Sequence, residues 1–303
     1  MGGGIIAWAV LVGLLVGCRP ASPPWPSPAT FDATNAYRHV IELVAFGPRP
    51  SGSEAARRTA DYLAAELGAV GLEVEVQEFH AATPRGPMVF RNVIGRTRAA
   101  RGPVLLVGSH YDTKWLPQIH FVGANDSGSS TGVALELARV LREQRNLWFV
   151  FFDGEEAIYD YGPQDGLWGS RYFVEQLRAT GRVRDVQALV LLDMVGDADL
   201  TITLAPNNTP ALLDQVFRAA EALGYRRYFQ FVPHEILDDH VPFLLAGIPA
   251  VNLIDFQFGS APGRNDYWHT AEDTLDKLSV RSLEIVGQTT IQLLGQLRSA
   301  VRR

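Results

Sequence analysis

Apolar residues recur along the chain in two patterns, which predict strands and helices. Short alternating or continuous apolar segments predict strands over residues 72–79, 89–94, 104–107, 147–152, 188–192 and 250–254. Apolar residues at helical spacing predict helices over residues 35–44, 53–67, 127–141 and 280–301. Apolar strands separated by helices are typical of a sheet that is covered on both faces. The predicted fold class is therefore α/β: a single domain with a central, mostly parallel mixed sheet flanked by helices.

Polar side chains follow directly on three of these predicted strands. They are His110, the adjacent pair Glu155 and Glu156, and Asp193. In an open sheet of this kind, ligands bind beyond the carboxyl ends of the strands. We therefore expect these side chains to converge in one crevice.

The strand predicted over residues 147–152 ends in three acids, Asp153, Glu155 and Glu156. Clustered carboxylates at the tip of a buried strand are costly, because like charges repel and lose water. A bound cation is the simplest compensation. Because adjacent Glu side chains cannot point the same way, one can bind a metal while its neighbour accepts and donates protons.

The candidate metal ligands in chain order are His110, Asp126, Glu156, Asp193 and His269. Nitrogen and oxygen donors without a thiolate suit zinc in an open, catalytic site. Taken singly, each has an ordinary structural interpretation. Asp126 could be the N-cap of a helix, and His269 a packed histidine beside aromatic residues. His110 and Asp193 could be a buried hydrogen-bonded pair. Their order at the strand ends favours the metal site.

The composition narrows the classes of function. A chain of 303 residues, 47% hydrophobic and 20% charged, suits one large globular domain or two small ones. The formal net charge of −6 gives no electrostatic reason to expect nucleic acid as a partner. Cys18 is the sole cysteine, so there can be no intramolecular disulfide.

The N-terminal segment predicts export. Residues 5–17 are apolar and too short to span a bilayer comfortably, and Leu15-Val16-Gly17-Cys18 resembles the lipobox of bacterial lipoprotein signal peptides. We predict a signal peptide over residues 1–18 that ends at lipidated Cys18, a Pro-rich tether over 19–31 that cannot pack as a core element, and a zinc-dependent catalytic domain over 32–303.

The lipid would anchor the protein to a membrane of the bacterial cell envelope, facing the periplasm or the exterior. The first four residues carry no Lys or Arg, however. An ordinary cleaved signal peptide or a start-site artefact is therefore the alternative interpretation.

Seven motifs, in order over roughly residues 35–300, resemble the bacterial leucyl-aminopeptidase type of zinc exopeptidase. They are His110-Tyr-Asp, Gly123-Ala-Asn-Asp126-Ser-Gly, Asp153-Gly-Glu-Glu156, Leu192-Asp-Met-Val-Gly196, Asp239-His-Val-Pro-Phe, Gly247-Ile-Pro and Trp268-His-Thr. That superfamily also contains the glutaminyl-peptide cyclotransferases. The resemblance implies the zinc exopeptidase-like form of the α/β fold.

Three details resemble the cyclotransferase branch. Tyr161-Gly-Pro-Gln-Asp-Gly-Leu-Trp-Gly-Ser-Arg171 is similar to a segment of the animal glutaminyl cyclases. Asp238 is an acid where many aminopeptidases have Ser, and Trp268 directly precedes the candidate ligand His269. In an unrelated chain, Asp238 would be interpreted as a solvated loop acid and Trp268 as core packing.

This chain also departs from the cyclases at three places. Asn252 stands where the cyclases carry His, and Tyr161 replaces the Trp that precedes Pro-Gln-Asp in the animal enzymes. The stretch over residues 256–267 is longer than its animal counterpart. These departures concern the shape of the substrate pocket more than the chemistry.

The resemblance implies a zinc-assisted reaction that converts the N-terminal Gln of peptides or proteins to pyroglutamate and releases ammonia. One zinc per chain is favoured, and its implied ligands are Asp126, Glu156 and His269. Proton transfer and hydrogen bonding near the leaving group are implied for Glu155, Asp193 and Asp238. The implied walls of the substrate pocket are Trp268, Tyr161 and one of Phe256 or Phe258. We expect a monomer.

Two other functions stay open at this point. A two-zinc aminopeptidase would use the same ligands, with Asp126 bridging the metals, His110 and Asp193 holding the second zinc, and Glu155 activating a metal-bound water. A catalytically silent, envelope-tethered binding domain on the same fold is the third possibility. The intact ligand set together with Glu155 argues against that third function.

Overall fold

A computed structural model describes Met1 and residues 23–100 and 102–300. The predicted signal peptide and Cys18 lie outside the described residues, so lipidation stays a prediction. None of the helices in these ranges combines the length and the hydropathy that a membrane span requires.

The core of the fold is an eight-stranded mixed sheet with the strand order β1-β2-β4-β3-β5-β8-β6-β7. The strands are β1 (Glu73–Thr83), β2 (Gly86–Arg96), β3 (Val104–His110), β4 (Leu147–Phe152), β5 (Val186–Asp193), β6 (Ile202–Leu204), β7 (Phe229–Phe231) and β8 (Ala250–Ile254). The four central strands β4, β3, β5 and β8 are parallel. β2 runs antiparallel to both β1 and β4, and β6 runs antiparallel to β8. The predicted mostly parallel mixed sheet is thus confirmed.

In the described part of the chain, seven α-helices cover both faces of this sheet. They are α1 (Ala33–Ala45), α2 (Glu54–Ala69), α3 (Ser130–Leu141), α4 (Trp168–Ala179), α5 (Pro210–Ala222), α6 (His240–Leu245) and α7 (Val280–Ala300). Apolar residues of α1, α2, α3, α5 and α7 form one core with one face of the sheet. α4 and α6 form a second core with the other face. Because the central strands are buried on both faces, they consist almost entirely of apolar residues.

The chain enters α3 through an irregular turn rather than through the helix start that the sequence predicts. Residues 124–129 form this turn, and Asp126 has the non-helical angles φ −102° and ψ 89°. The backbone amides of Asn125 and Asp126 donate to the carboxylate of Asp273, at 2.6 and 3.1 Å. These bonds hold the turn in its non-helical conformation, and the regular helix begins only at Ser130. The Asp126 side chain faces the crevice at the strand ends.

Two aromatic residues that precede the predicted domain boundary at residue 32 pack against the domain. The indole of Trp25 donates to the carbonyl oxygen of Ile291 in α7 at 3.0 Å, and its side chain packs against the main core. Phe31 is 5% exposed and occupies the space beside Gly287, where any side chain would clash with its ring. Two residues of the segment predicted as a Pro-rich tether thus contact the core through their aromatic rings.

Candidate active site

The carboxyl ends of three parallel strands deliver the predicted side chains to one crevice. His110 is the last residue of β3 and Asp193 the last residue of β5. Glu155 and Glu156 lie in the loop after β4, with 5% of each residue exposed. In register, His110 pairs with Phe152, so the tips of β3 and β4 end side by side.

Asp126 contacts two histidines through different carboxylate oxygens. Its Oδ1 lies 3.2 Å from Nε2 of His110, and its Oδ2 lies 3.2 Å from Nε2 of His269. His110 is also 3.2 Å from Oδ1 of Asp193, and His269 is 2.9 Å from Oε1 of Glu156. The crevice therefore contains two potential ligand groups that share Asp126: His110, Asp126 and Asp193, and Asp126, Glu156 and His269.

The second of these groups fits a zinc ion. Four ligands about 2.1 Å from a tetrahedral ion lie about 3.4 Å from one another. Oδ2 of Asp126 and Oε1 of Glu156 lie 3.2 and 2.9 Å from the His269 nitrogen. Burial alone would lower the pKa of His269, but the Glu156 and Asp126 carboxylates outweigh it and raise the pKa to about 10. This concentration of negative charge is the environment that a divalent cation would neutralise.

His269 is held by the backbone and by a neighbouring indole. Its φ of 56° lies in the left-handed region, which turns its side chain back into the crevice. The Trp268 ring stacks on the imidazole, with ring centroids 4.0 Å apart. Phe256 packs edge-on against the Trp268 ring at 5.1 Å. Phe258 is fully buried beside Tyr267, so Phe256 is the member of the predicted pair that lines the crevice.

Asp112 sets the direction of the loop that carries the two Glu residues. Its Oδ1 accepts the backbone amide of Glu155 at 3.2 Å, and its Oδ2 accepts the amide of Glu156 at 3.3 Å. Its Oδ1 also lies 3.4 Å from Nδ1 of His110. The sequence contained one signal for this residue, its place in the His110-Tyr-Asp motif, but no role was predicted for it.

Glu155 occupies the crevice beside the ligand group rather than within it. Burial raises the pKa of its carboxyl group well above the ordinary value, and the charge of Asp238 adds to this effect. The hydroxyl group of Tyr161 donates to Oε2 of Glu155 at 2.9 Å.

The ammonium group of Lys114 lies 3.9 Å from Oε2 of Glu156, on the side away from His269.

Asp238 faces the same crevice from the loop before α6. The side-chain amide of Asn252 donates to its Oδ2 at 2.6 Å, and the backbone amide of Asp239 donates to its Oδ1 at 2.5 Å. Burial, followed by the charge of Asp193, raises the pKa of Asp238 well above its usual value. Asp238 is 2% exposed, which excludes its interpretation as a solvated loop acid.

These residues line a cleft of about 220 Å³. Its walls are formed by Asp126, Glu155, Glu156, Tyr161, Asp193, Met194, Glu235, Ile236, Leu237, Asp238, Ile254, Phe256, Trp268 and His269. His110 lies next to the cleft and contacts two of the lining acids. The structure thus brings together every predicted site residue except Cys18, which lies outside the described residues.

A buried cation that was not predicted from the sequence supports this acidic region. The guanidinium of Arg49 donates to the carbonyl oxygens of Tyr111 at 2.8 Å and of Gly123 at 2.9 Å. Burial lowers the pKa of Arg49 to about 10, which still leaves the group charged at neutral pH. Its charge offsets the nearby carboxylates of Asp273 and Asp126. Arg49 therefore holds the turn that presents Asp126.

The chain matches the model of peptidase family M28 over residues 92–294. A curated relative, the glutaminyl-peptide cyclotransferase of Drosophila melanogaster, is 31% identical over an alignment of 267 positions that covers 78% of this chain and 73% of the relative.

Solved structures of bacterial glutaminyl cyclases are also similar. The enzyme from an Acidobacteriales bacterium superposes with a TM-score of 0.85 at 34% identity, covering 93% of this chain and all (100%) of that one. The Porphyromonas gingivalis enzyme superposes with a TM-score of 0.78 at 34% identity, covering 88% of this chain and 99% of that one. These similarities confirm the family that the sequence motifs indicated. The chain therefore belongs to peptidase family M28 and, within it, to the glutaminyl-peptide cyclotransferases.

Proposed function

We propose that this protein converts the N-terminal Gln of peptides and proteins to pyroglutamate and releases ammonia. The observation that carries the proposal is the position of Asp238, an acid that faces the cleft where many aminopeptidases have Ser. The activity named for the relatives supports the same reaction. In this reaction the α-amine nitrogen forms a bond to the γ-carbonyl carbon, the bond from that carbon to the side-chain nitrogen breaks, and one proton moves from the amine to the leaving group.

One zinc ion would be held by Asp126, Glu156 and His269. When bound, zinc would act as a Lewis acid that polarises the γ-amide carbonyl. The remaining contributions come from side chains of this chain.

Glu155 would take the proton from the attacking amine and deliver it to the leaving amino group. Its carboxylate lies in the cleft next to Glu156 without belonging to the three-residue ligand group. Because burial raises the pKa of Glu155, its carboxylate is a stronger proton acceptor than an exposed one. No water is needed as a nucleophile.

Asp193 and Asp238 would bind the leaving group. Burial raises the pKa of both carboxyl groups, and the charge of Asp193 raises that of Asp238 further. Two buried acids that repel each other in this way can share one proton. The protonated member could then donate a hydrogen bond to the reacting amide.

The aromatic walls would fix the substrate for ring closure. Trp268 and Phe256 form one side of the cleft, and Trp268 is itself fixed by stacking on His269. Because the attack is intramolecular, holding the glutamine side chain in a folded conformation accounts for a large part of the expected rate enhancement.

The two-zinc aminopeptidase is the second candidate, and one observation favours it. His110, Asp126 and Asp193 form the other ligand group, with Asp126 placed between the two histidines. In that reaction Glu155 would activate water instead of the substrate amine. The difference between the two functions therefore lies in the nucleophile.

The two candidates are separated by incubating the zinc-loaded protein with one peptide that begins with Gln and one that begins with Leu. Mass spectrometry follows both peptides. Loss of one ammonia from the Gln peptide, with the Leu peptide intact, supports the cyclotransferase. Loss of the whole first residue from either peptide would contradict it.

A further inference from the structure

The hydroxyl group of Tyr161 points at the carboxylate of Glu155, although the sequence resemblance assigned this residue only to the pocket wall. It lies 2.9 Å from Oε2 and 3.2 Å from Oε1 of Glu155, and 3.3 Å from Oε2 of Glu156. A phenol donates one proton at a time. The shortest contact therefore identifies Oε2 of Glu155 as the preferred acceptor.

Glu155 depends on this contact more than Glu156 does. Among the described residues, Tyr161 is the only side chain that hydrogen-bonds to the Glu155 carboxylate. Glu156 is additionally held by His269 at 2.9 Å and by Lys114 at 3.9 Å. Without Tyr161, the rotamer of Glu155 would be limited only by its packing.

The loop around Tyr161 holds its ring in place. The guanidinium of Arg171 donates to the carbonyl oxygens of Gly162 at 2.8 Å and of Pro163 at 3.0 Å. A side chain at Gly166 would come within 2.6 Å of the Tyr161 ring, so the loop closes directly against it. The Lys114 ammonium group lies over the ring, 5.3 Å from its centroid. Tyr161 is thus a fixed donor rather than a mobile one.

We propose that Tyr161 is a positioning residue, which holds the Glu155 carboxylate through its hydroxyl group so that one oxygen stays free for the substrate proton. This inference rests on the proposed function insofar as Glu155 is the proton carrier. The same contact would serve Glu155 if the nucleophile were water. This positioning role is separate from the role of Tyr161 in the pocket wall. The ring of Tyr161 forms part of the wall, whereas its hydroxyl group makes the contact with Glu155.

The test is Tyr161→Phe, which removes the hydroxyl group and keeps the ring. We expect kcat for the Gln peptide to fall about 10- to 100-fold while KM stays within about threefold, since substrate binding by the ring is retained. The matched control is Tyr159→Phe, which removes an exposed hydroxyl group from the same loop and should leave both constants unchanged. A Tyr161→Phe enzyme with the wild-type kcat would overturn the inference.

A double-mutant cycle with Glu155→Asp separates positioning from a general loosening of the loop. If Tyr161 acts through Glu155, its substitution in the Glu155→Asp background should cost clearly less than in the wild type. Fully additive losses would overturn the inference. A crystal structure of Tyr161→Phe supplies a readout without activity: the Glu155 carboxylate should leave its wild-type position, and an unmoved carboxylate would contradict the proposal.

The two proposals can fail separately. A wild-type protein that releases no ammonia from Gln peptides but hydrolyses Leu peptides refutes the proposed function alone. The Tyr161→Phe effect is then measured on that hydrolysis, because Glu155 is the base there too. A protein inactive in both assays refutes the proposed function and leaves the crystallographic test of the Glu155 position to decide the inference.

Discussion

The backbone amide of Glu155 donates to the carboxylate of Asp112 across 43 residues of sequence, at 3.2 Å. The second oxygen of the same carboxylate accepts the amide of Glu156 at 3.3 Å. Both proposed functional acids after β4 are therefore oriented by one buried side chain, which also lies beside His110 at 3.4 Å. The predicted division of labour between Glu155 and Glu156 depends on this shared support.

Replacing Asp112 with Asn should impair catalysis without unfolding the protein. The amide nitrogen of Asn would face a backbone amide, so one of the two hydrogen bonds is lost and two donors oppose each other. We expect kcat to fall about 10- to 100-fold, as is usual for residues that support a metal site. Asp214→Asn, which changes an exposed acid paired with Arg218, is the control and should have wild-type kinetics. An unchanged kcat in Asp112→Asn would show that the loop carrying Glu155 and Glu156 keeps its conformation without these hydrogen bonds.

We expect catalysis to depend on the hydrogen bond that Asn252 donates to Asp238. Asn252→Leu removes the donor that lies 2.6 Å from the Asp238 carboxylate while keeping the branched heavy-atom skeleton of the side chain. A buried carboxylate that loses a partner is destabilised, so we expect kcat to fall about tenfold or more. Asn252→His restores a hydrogen-bond donor at this position and should retain more activity than Asn252→Leu. Equal losses in the two variants, with equal melting temperatures, would exclude this role.

Metal analysis of variants should distinguish the two ligand groups. If one zinc is held by Asp126, Glu156 and His269, the dialysed wild type contains one zinc per chain, and His269→Ala loses it. His110→Ala should keep it, since His110 belongs to the other group. Two zinc ions in the wild type and one in His110→Ala would instead favour the aminopeptidase.

His39 should make the protein less stable in acid. Burial, with the charge of Arg38, lowers the pKa of His39 to about 4, against 6.5 for the ordinary side chain. The unfolded chain therefore takes up a proton below pH 6.5 that the folded protein does not. The contribution of His39 to the free energy of unfolding should be constant above pH 6.5 and should decrease by up to about 3 kcal/mol as the pH falls from 6.5 to 4.

Urea unfolding at several pH values checks this expectation. His39→Gln cannot titrate at this position, so the stability of the variant relative to the wild type should increase as the pH falls over that interval. His80→Gln changes an exposed histidine on β1 and should retain the wild-type pH dependence. If His39→Gln loses stability in acid as steeply as the wild type, another group carries the effect.

The sequence predicted the elements whose side chains alternate or form apolar runs. β4 was predicted over its full range, and the strands that end in His110 and Asp193 placed these residues at one sheet edge. The strands β6 and β7 were missed because they have only three residues each and carry no recognisable period. The helices α4, α5 and α6 were not predicted either. The helix predicted over residues 127–141 begins later, because Asp273, far along the chain, binds the amides of the turn.

The supporting residues of the site could not be predicted for the same reason. Arg49 lies in a Gly- and Pro-rich loop, and its role arises from carbonyl oxygens more than 60 residues away in sequence. The hydroxyl contact of Tyr161 is local in sequence but depends on the path of its loop, which no periodic pattern specifies. The residues that carry the chemistry were found because their types and order resemble a family. The residues that hold them were found only in the structure.

The most direct test of the account is the rate of pyroglutamate formation by Glu155→Gln, measured by mass spectrometry on a Gln peptide with the zinc content determined in the same samples. Gln keeps the size of the side chain but cannot accept the amine proton. We predict that the variant binds as much zinc as the wild type and forms pyroglutamate at least about 100-fold more slowly. A zinc-loaded Glu155→Gln that forms pyroglutamate at the wild-type rate would contradict the proposed mechanism.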